Sequence, residues 1–309
     1  MSGPAGAPPS PGAGNPRAGH WNRMREEAAT LASALPPLLV EAERIASTVA
    51  QGVHGRRRVG PGETFWQFRR YTFGDSSIDI DWRRSARSQH LFVRETEWEA
   101  AQSVWLWRDA SRSMRYASAA GAPTKIDRAS ILALALGILL VQAGERIAAL
   151  GEPFPPQTGR APLNRLAYLY MQESETDASS LPAAQPLPRY AHTVWLSDFL
   201  FDADAILSRM RGLAGAGVAG HLLQILDPAE ADYGFSGRVR FEGLEDDVKL
   251  LVGRAESLKG EYDRRLAGHQ SRIGAEARRL GWTFSVHRTD HAPHTALLAL
   301  YAAVAAQRA

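Results

Sequence analysis

From about residue 101 onward, short apolar runs alternate with helix-patterned segments, and no other feature of the 309-residue chain limits its fold as strongly. Ser103–Trp107, Arg146–Leu150, Thr193–Leu196, His221–Leu226 and Thr283–His287 read as strands. Lys125–Ala143, Leu163–Met171, Asp202–Leu213, Val252–Leu280 and His294–Gln307 read as helices, and Phe235–Leu244 as a local hairpin or insert. The Lys125–Ala143 segment is apolar nearly all round, which predicts a buried helix. Strands alternating with helices predict an α/β fold: a mostly parallel, Rossmann-type sheet with helices on both faces.

Two of the strands end in acids. The run SVWLW leads into Arg108-Asp109-Ala110-Ser111-Arg112-Ser113-Met114, and Thr193–Leu196 leads into Ser197-Asp198. Ligands of open α/β sheets sit outside the carboxyl ends of the strands, where these residues fall. A carboxylate and two hydroxyls at alternate positions of a tight loop can converge on one hard cation. The polar loop Glu175–Leu181 offers Thr176 as a further oxygen. Asp109, Ser111, Ser113, Thr176 and Asp198 thus form an oxygen-only donor set suited to Mg²⁺ or Mn²⁺. The plainer reading is that Asp109 and the serines cap the turn after the strand. The chain has no cysteine, which excludes a disulfide scaffold, a thiolate metal site, an iron–sulfur cluster and a cysteine nucleophile.

Upstream, the character changes. Residues 1–20, rich in Gly, Pro, Ala and Ser, read as a disordered tail. Residues 22–50 read as helical with a break at Pro36-Pro37. Residues 51–100 read as loops and short strands, with nine arginines between Val53 and Arg94 set among aromatics. Arginine beside Trp and Tyr stacks as well as pairs. With Asp75, Asp79 and Asp81 close by, the block reads first as an internal Arg–Asp and Arg–aromatic network. A second reading is a partner surface made of Arg56, Arg57, Arg58, Arg83, Arg84 and Arg87. A third is single-stranded nucleic acid stacked on the block.

The motifs of both parts bear a family resemblance. The D-x-S-x-S loop and the later strand-end Asp198 resemble the von Willebrand factor A fold with its metal-ion-dependent adhesion site. The upstream order Gly60-Pro61-Gly62-Glu63-Thr64-Phe65, Arg69-Arg70-Tyr71, Gly74-Asp75 and Ile80-Asp81-Trp82-Arg83-Arg84-Ser85-Ala86-Arg87 closely resembles domain-of-unknown-function family 58 (DUF58). That family joins such a block to a von Willebrand A-like domain. The resemblance implies a tail over residues 1–20, an N-terminal helix with the arginine–aromatic segment over 21–100, and the A-like domain over 101–309. It also implies a non-enzymatic adaptor or co-chaperone beside a MoxR-type AAA+ ATPase or its client. Asp109, Ser111, Ser113, Thr176 and Asp198 would then hold Mg²⁺ or Mn²⁺ and capture an acidic residue of the partner.

Composition narrows the alternatives. The net charge is only +3, from 36 Lys+Arg against 33 Asp+Glu, and this does not call for a nucleic-acid partner. The longest apolar run, Ile131–Val141, is too short to span a membrane, and the N-terminus lacks the apolar core of a signal peptide, so a cytoplasmic location is expected. A metal-dependent phosphoryl or ester hydrolase is the enzymatic alternative. It lacks a general base near Asp109 or Asp198 in sequence and would need His192 or His287 brought close. His287, Asp290, His291 and His294 read as a strand-to-helix turn rather than a metal site. Gly60–Thr64 lacks the Gly-Lys-Ser/Thr ending of a phosphate loop. Gly212–Gly220 follows a helix and precedes a strand, the reverse of the order that binds pyrophosphate. Mixed charges on the long helix from Val252 predict a solvated face.

Overall fold

Apolar runs short enough for strands and long enough to cross a core become a parallel sheet, described here in a computed structural model. The structure describes residues 36–53, 65–72, 80–88, 90–96, 101–171, 180–242 and 249–306. In chain order, α1 (Pro36–Val53) is followed by β1 (Phe65–Arg70), the one-turn α2 (Trp82–Ser85) and β2 (Phe92–Thr96). Then come β3 (Ser103–Arg108), α3 (Lys125–Gln142), β4 (Arg146–Ala149), α4 (Arg160–Met171), β5 (His192–Ser197), α5 (Ala203–Gly215) and β6 (Ala219–Leu226). The one-turn α6 (Pro228–Asp232) precedes β7 (Val239–Glu242) and β8 (Lys249–Val252), and α7 (Lys259–Arg279), β9 (Thr283–Arg288) and α8 (Pro293–Ala306) complete the order.

The main sheet has five strands in the order β4-β3-β5-β6-β9, and every pairing in it is parallel. β1 pairs antiparallel with β2, and β7 with β8. The alternating side chains of the central strands separate two cores. Val104, Leu106, Val194, Leu196, Leu223 and Ile225 point into a core with α1, α3, α4 and α8. Trp105, Trp107, Trp195 and Leu222 point into the other, with α5, α7 and Trp282. Both faces are therefore covered, which explains why these strands read as continuous apolar runs rather than alternating ones.

In the second core, Trp195 meets Trp107 edge-on at 6.2 Å and Trp282 at 5.5 Å between ring centroids. Trp282 donates its indole N–H to the Val218 carbonyl at 3.0 Å and lies over Gly220 of β6. A Cβ at Gly220 would stand 2.1 Å from the Trp282 ring, so that strand position must be bare. On the opposite face, α1 buries Ala42, Ile45, Ala46 and Val49 against α3 and α8.

α1 opens at Pro36-Pro37, where the sequence places a break; residues 22–35 lie outside the described residues. Proline is at home in a helix's first turn, where its missing N–H has no intrahelical partner to lose. Two other boundaries differ from those read in the sequence. The long helix begins at Lys259, not Val252, because Lys249–Val252 is spent as the partner strand of Val239–Glu242. Arg254, at φ −137° and ψ 87°, is not yet helical before the one-turn 3₁₀ segment Ala255–Leu258. The hairpin expected at Phe235–Leu244 thus draws its second strand from beyond that range, and only the strand's last residue, Val252, falls in the segment read as helix. Residues 1–20, Arg56, Arg57, Arg58 and Thr176 lie outside the described residues. No helix among the described residues is long and apolar enough to cross a membrane.

Candidate functional site

β3 and β5 are neighbours, but the chain leaves β3 toward β4 on one side and returns to β5 on the other. The carboxyl ends of these two strands therefore flank the sheet's switch point, where a crevice opens in folds of this type. Asp109 follows β3 and is fully buried. Its N–H donates to the Leu196 carbonyl at 2.9 Å, which locks it to the adjacent strand. Its Oδ1 accepts the Ser111 N–H at 2.8 Å, and its Oδ2 accepts the Ser197 hydroxyl at 2.6 Å. The hydroxyls of Ser111 and Ser113 lie 3.2 Å apart. Burial pushes the Asp109 carboxyl up to about 6, with nearby Asp198 adding to the rise; the Ser197 and Ser111 hydrogen bonds oppose it. The D-x-S-x-S loop thus gathers its acid and two hydroxyls, as the spacing predicts. Ser197, from the other strand, completes the link across the switch point.

Asp198 is set by a tight turn. Phe199, buried, sits at φ +49°, a left-handed conformation that costs a side-chain-bearing residue roughly 1–3 kcal/mol. Three contacts hold it there. The Phe199 N–H donates to Ser197 Oγ at 2.9 Å, the Leu200 N–H donates to Asp198 Oδ1 at 3.1 Å, and His269 Nε2 lies 2.6 Å from the Phe199 carbonyl. Gln224 of β6 donates to the Asp198 carbonyl at 2.7 Å and is itself held by Gln270 of α7 at 2.8 Å.

The remaining carboxylate oxygen of Asp198 faces a cation that the sequence reading missed. Lys125, the first residue of α3, is wholly buried, and its Nζ lies 2.8 Å from Asp198 Oδ2 and 2.5 Å from Glu230 Oε1. Burial pulls the Lys125 ammonium down, but Asp198 and Glu230 outweigh it and hold the group above its ordinary range. Glu230 belongs to a capping box with Asp227, whose N–H it accepts at 2.9 Å. Asp227 in turn accepts the Ser118 N–H at 2.9 Å. Lys125 follows the N-cap Thr124, itself in a capping box with Asp127. The available signal was position: a lysine at the positive end of a helix dipole is poorly placed unless an acid awaits it. Lys125 is also one of only three lysines in a chain whose other cations are arginine.

Oxygen donors of this kind suit a divalent cation, and Asp109, Ser111 and Ser113 stand close together. Of the expected set, Thr176 lies outside the described residues, and Asp198 Oδ2 already holds the Lys125 ammonium, a fixed positive charge with which a metal ion would have to compete for Asp198. Among the described residues, no three His, Asp or Glu side chains converge as metal ligands. Of the histidines invoked for a hydrolase, His192 lies apart. His192 opens β5 whereas Asp198 follows its end, about 20 Å away at the rise of a parallel strand. There His192 Nδ1 stands 3.3 Å from His221 Nε2, the two rings stacked. His287 is buried in the edge strand, and burial together with Arg128 pulls its imidazole down to about 4. The Asp290 carboxylate is gripped by Arg288 at 3.0 Å, so the expected strand-to-helix turn is tied by an ion pair. In the upstream block, Arg83, Arg84 and Arg87 are exposed, and the Arg84 guanidinium lies 5.2 Å from the Phe92 ring centroid. The N-cap Asp81 accepts the Arg84 N–H at 2.8 Å.

These features define a class: an α/β protein with a parallel five-stranded sheet and a hydroxyl–carboxylate cluster across its switch point. Within that class the chain belongs to the family described as "Protein of unknown function DUF58", whose model matches residues 67–272. Uncharacterized protein Mb1516 of Mycobacterium bovis and uncharacterized protein Rv1480 of Mycobacterium tuberculosis are each 26% identical to it over 276 residues, covering 84% of this chain and 85% of theirs. Among solved structures, an aerotolerance-related membrane protein from Bacteroides fragilis matches at 11% identity and a TM-score of 0.40, covering 67% of this chain and 100% of that one. The conserved hypothetical protein BatB from Bacteroides thetaiotaomicron matches at 11% identity and a TM-score of 0.38, covering 67% and 98%.

Proposed function

We propose that this chain is a non-enzymatic protein-interaction module that presents the carboxyl edge of its parallel sheet to an acidic segment of a protein partner. The observation that carries this reading is how the polar groups at that edge are employed. Both oxygens of Asp109 accept hydrogen bonds, and Asp198 divides its oxygens between a backbone N–H and Lys125. These groups are spent on tying the strand ends to one another, which favours a rigid surface. The exposed Arg112 and Arg115 border the loop of Ser111 and Ser113 and supply the positive rim that an acidic segment requires. The family resemblance points to a MoxR-type AAA+ ATPase, or its client, as the partner.

Capture of a purified MoxR-type ATPase by the immobilised full chain tests the proposal, run in Mg²⁺ and again in chelator. Wild-type protein is expected to retain the ATPase. Arg112→Glu combined with Arg115→Glu, both on exposed positions, is expected to lose it while melting at the wild-type temperature. Undiminished capture by that double variant would overturn the assigned face, and absence of capture by the wild type would overturn the assigned partner.

A further inference from the structure

We infer that Lys125 is the resident cation of the strand-end site: its ammonium holds Asp198 in place of a divalent metal ion. The inference rests on reading this edge as the functional site and deepens that reading, because it makes recognition there independent of Mg²⁺. Three observations carry it. The ammonium is completely buried and contacts two carboxylates from two different elements, Asp198 after β5 and Glu230 in α6. A buried ammonium survives only when paired in this way. Second, Lys125 sits at the amino end of α3, where the helix dipole opposes a cation, so the carboxylates and not the helix keep it there. Third, both oxygens of Asp198 are already engaged: Oδ1 receives the Leu200 N–H and Oδ2 the ammonium.

A compact, strongly hydrated ammonium serves this place better than a guanidinium would, since it presents one point of charge to oxygens converging from several directions. A divalent ion approaching Asp198 would meet that fixed positive charge and would have to displace it. The site thereby keeps its shape without drawing on the metal supply. Removing the charge while keeping the volume, by Lys125→Met, would leave Asp198 and Glu230 facing each other, an arrangement that favours a hard cation.

The test is a Mn²⁺ titration of the full chain followed by electron paramagnetic resonance. It compares wild type, Asp198→Asn, Lys125→Met and the Lys125→Met/Asp198→Asn double variant. Wild type is expected to show no Mn²⁺ site that Asp198→Asn weakens. Lys125→Met is expected to bind Mn²⁺ at least about tenfold more tightly than wild type, a gain that the added Asp198→Asn removes. Thermal melting gives a second readout: Mn²⁺ should raise the midpoint of Lys125→Met and leave that of wild type unchanged. Wild-type binding that depends on Asp198, or a folded Lys125→Met with no gain, would overturn the inference. Should Lys125→Met fail to fold even with Mn²⁺, the wild-type and Asp198→Asn titrations decide alone. The titration needs no partner protein, so loss of ATPase capture would count against the proposed function without touching this result.

Discussion

At the scale of single residues, the clearest constraint is a missing side chain. Gly220 lies beneath the Trp282 ring, and even a methyl group there would collide with it. Gly220→Ala is expected to lower stability by about 1–3 kcal/mol or more, as overpacking of a fixed core does. Gly212, inside α5 with open space around it, provides the contrast. Gly212→Ala should stabilise by about 0.5–1 kcal/mol through better helix propensity, and urea denaturation of the two variants checks both signs. Asp109, Ser111, Ser113 and Asp198 were legible in the sequence because the end of an apolar strand is a place one can read. Lys125 and Glu230 were not, because 73 and 105 residues separate the lysine from Asp198 and from Glu230. Pairing across such distances is a product of strand order, which local pattern does not encode. The strain at Phe199 was equally hidden: phenylalanine gives no warning of a positive φ.

At the scale of elements, α1 shows how a segment far upstream becomes part of the sheet's cover. Its apolar stripe at helical spacing was visible, but its destination on α3 and α8 was not. Ile45 is buried there, and Ile45→Ala is expected to cost about 2–5 kcal/mol, the range for truncating a core aliphatic side chain. Chemical denaturation monitored by far-ultraviolet circular dichroism measures it. A cost near zero would mean that α1 docks only loosely. The β7–β8 hairpin teaches the opposite lesson. A four-residue run of Lys and aliphatic residues before a charged helix fits a helical period as well as a strand period. Only its pairing with Val239–Glu242 distinguishes the two.

At the scale of the whole molecule, the two ends of the sheet carry different electrostatics. At the amino end, burial first and then His192 pull the His221 imidazole down to about 3, while Thr283 lies 3.0 Å from its Nδ1. The unfolded chain then takes up this proton near pH 6.5, whereas the folded chain refuses it until about pH 3. His221 therefore contributes its full stability above pH 6.5 and loses it progressively as the pH falls, by up to about 1.4 kcal/mol per unit. His287, held at about 4, acts in the same direction. Asp109, raised to about 6, acts in the opposite one, favouring the folded state as the pH drops from that value toward 4. Urea midpoints between pH 4.5 and 6.5 should thus fall less steeply in His221→Phe than in wild type, and an unchanged slope would remove His221 from the balance. The overall α/β architecture was the most legible property of all, since it needs only element types in order, while its strand order had to be observed. The tryptophans add a consequence for anyone watching this protein unfold. Trp105, Trp107, Trp195 and Trp282 all belong to the core shared with α5 and α7, and none to the core beneath α1 and α3. Among the described residues the buried tryptophans are therefore one-sided: they report solvent reaching one layer and not the detachment of the other.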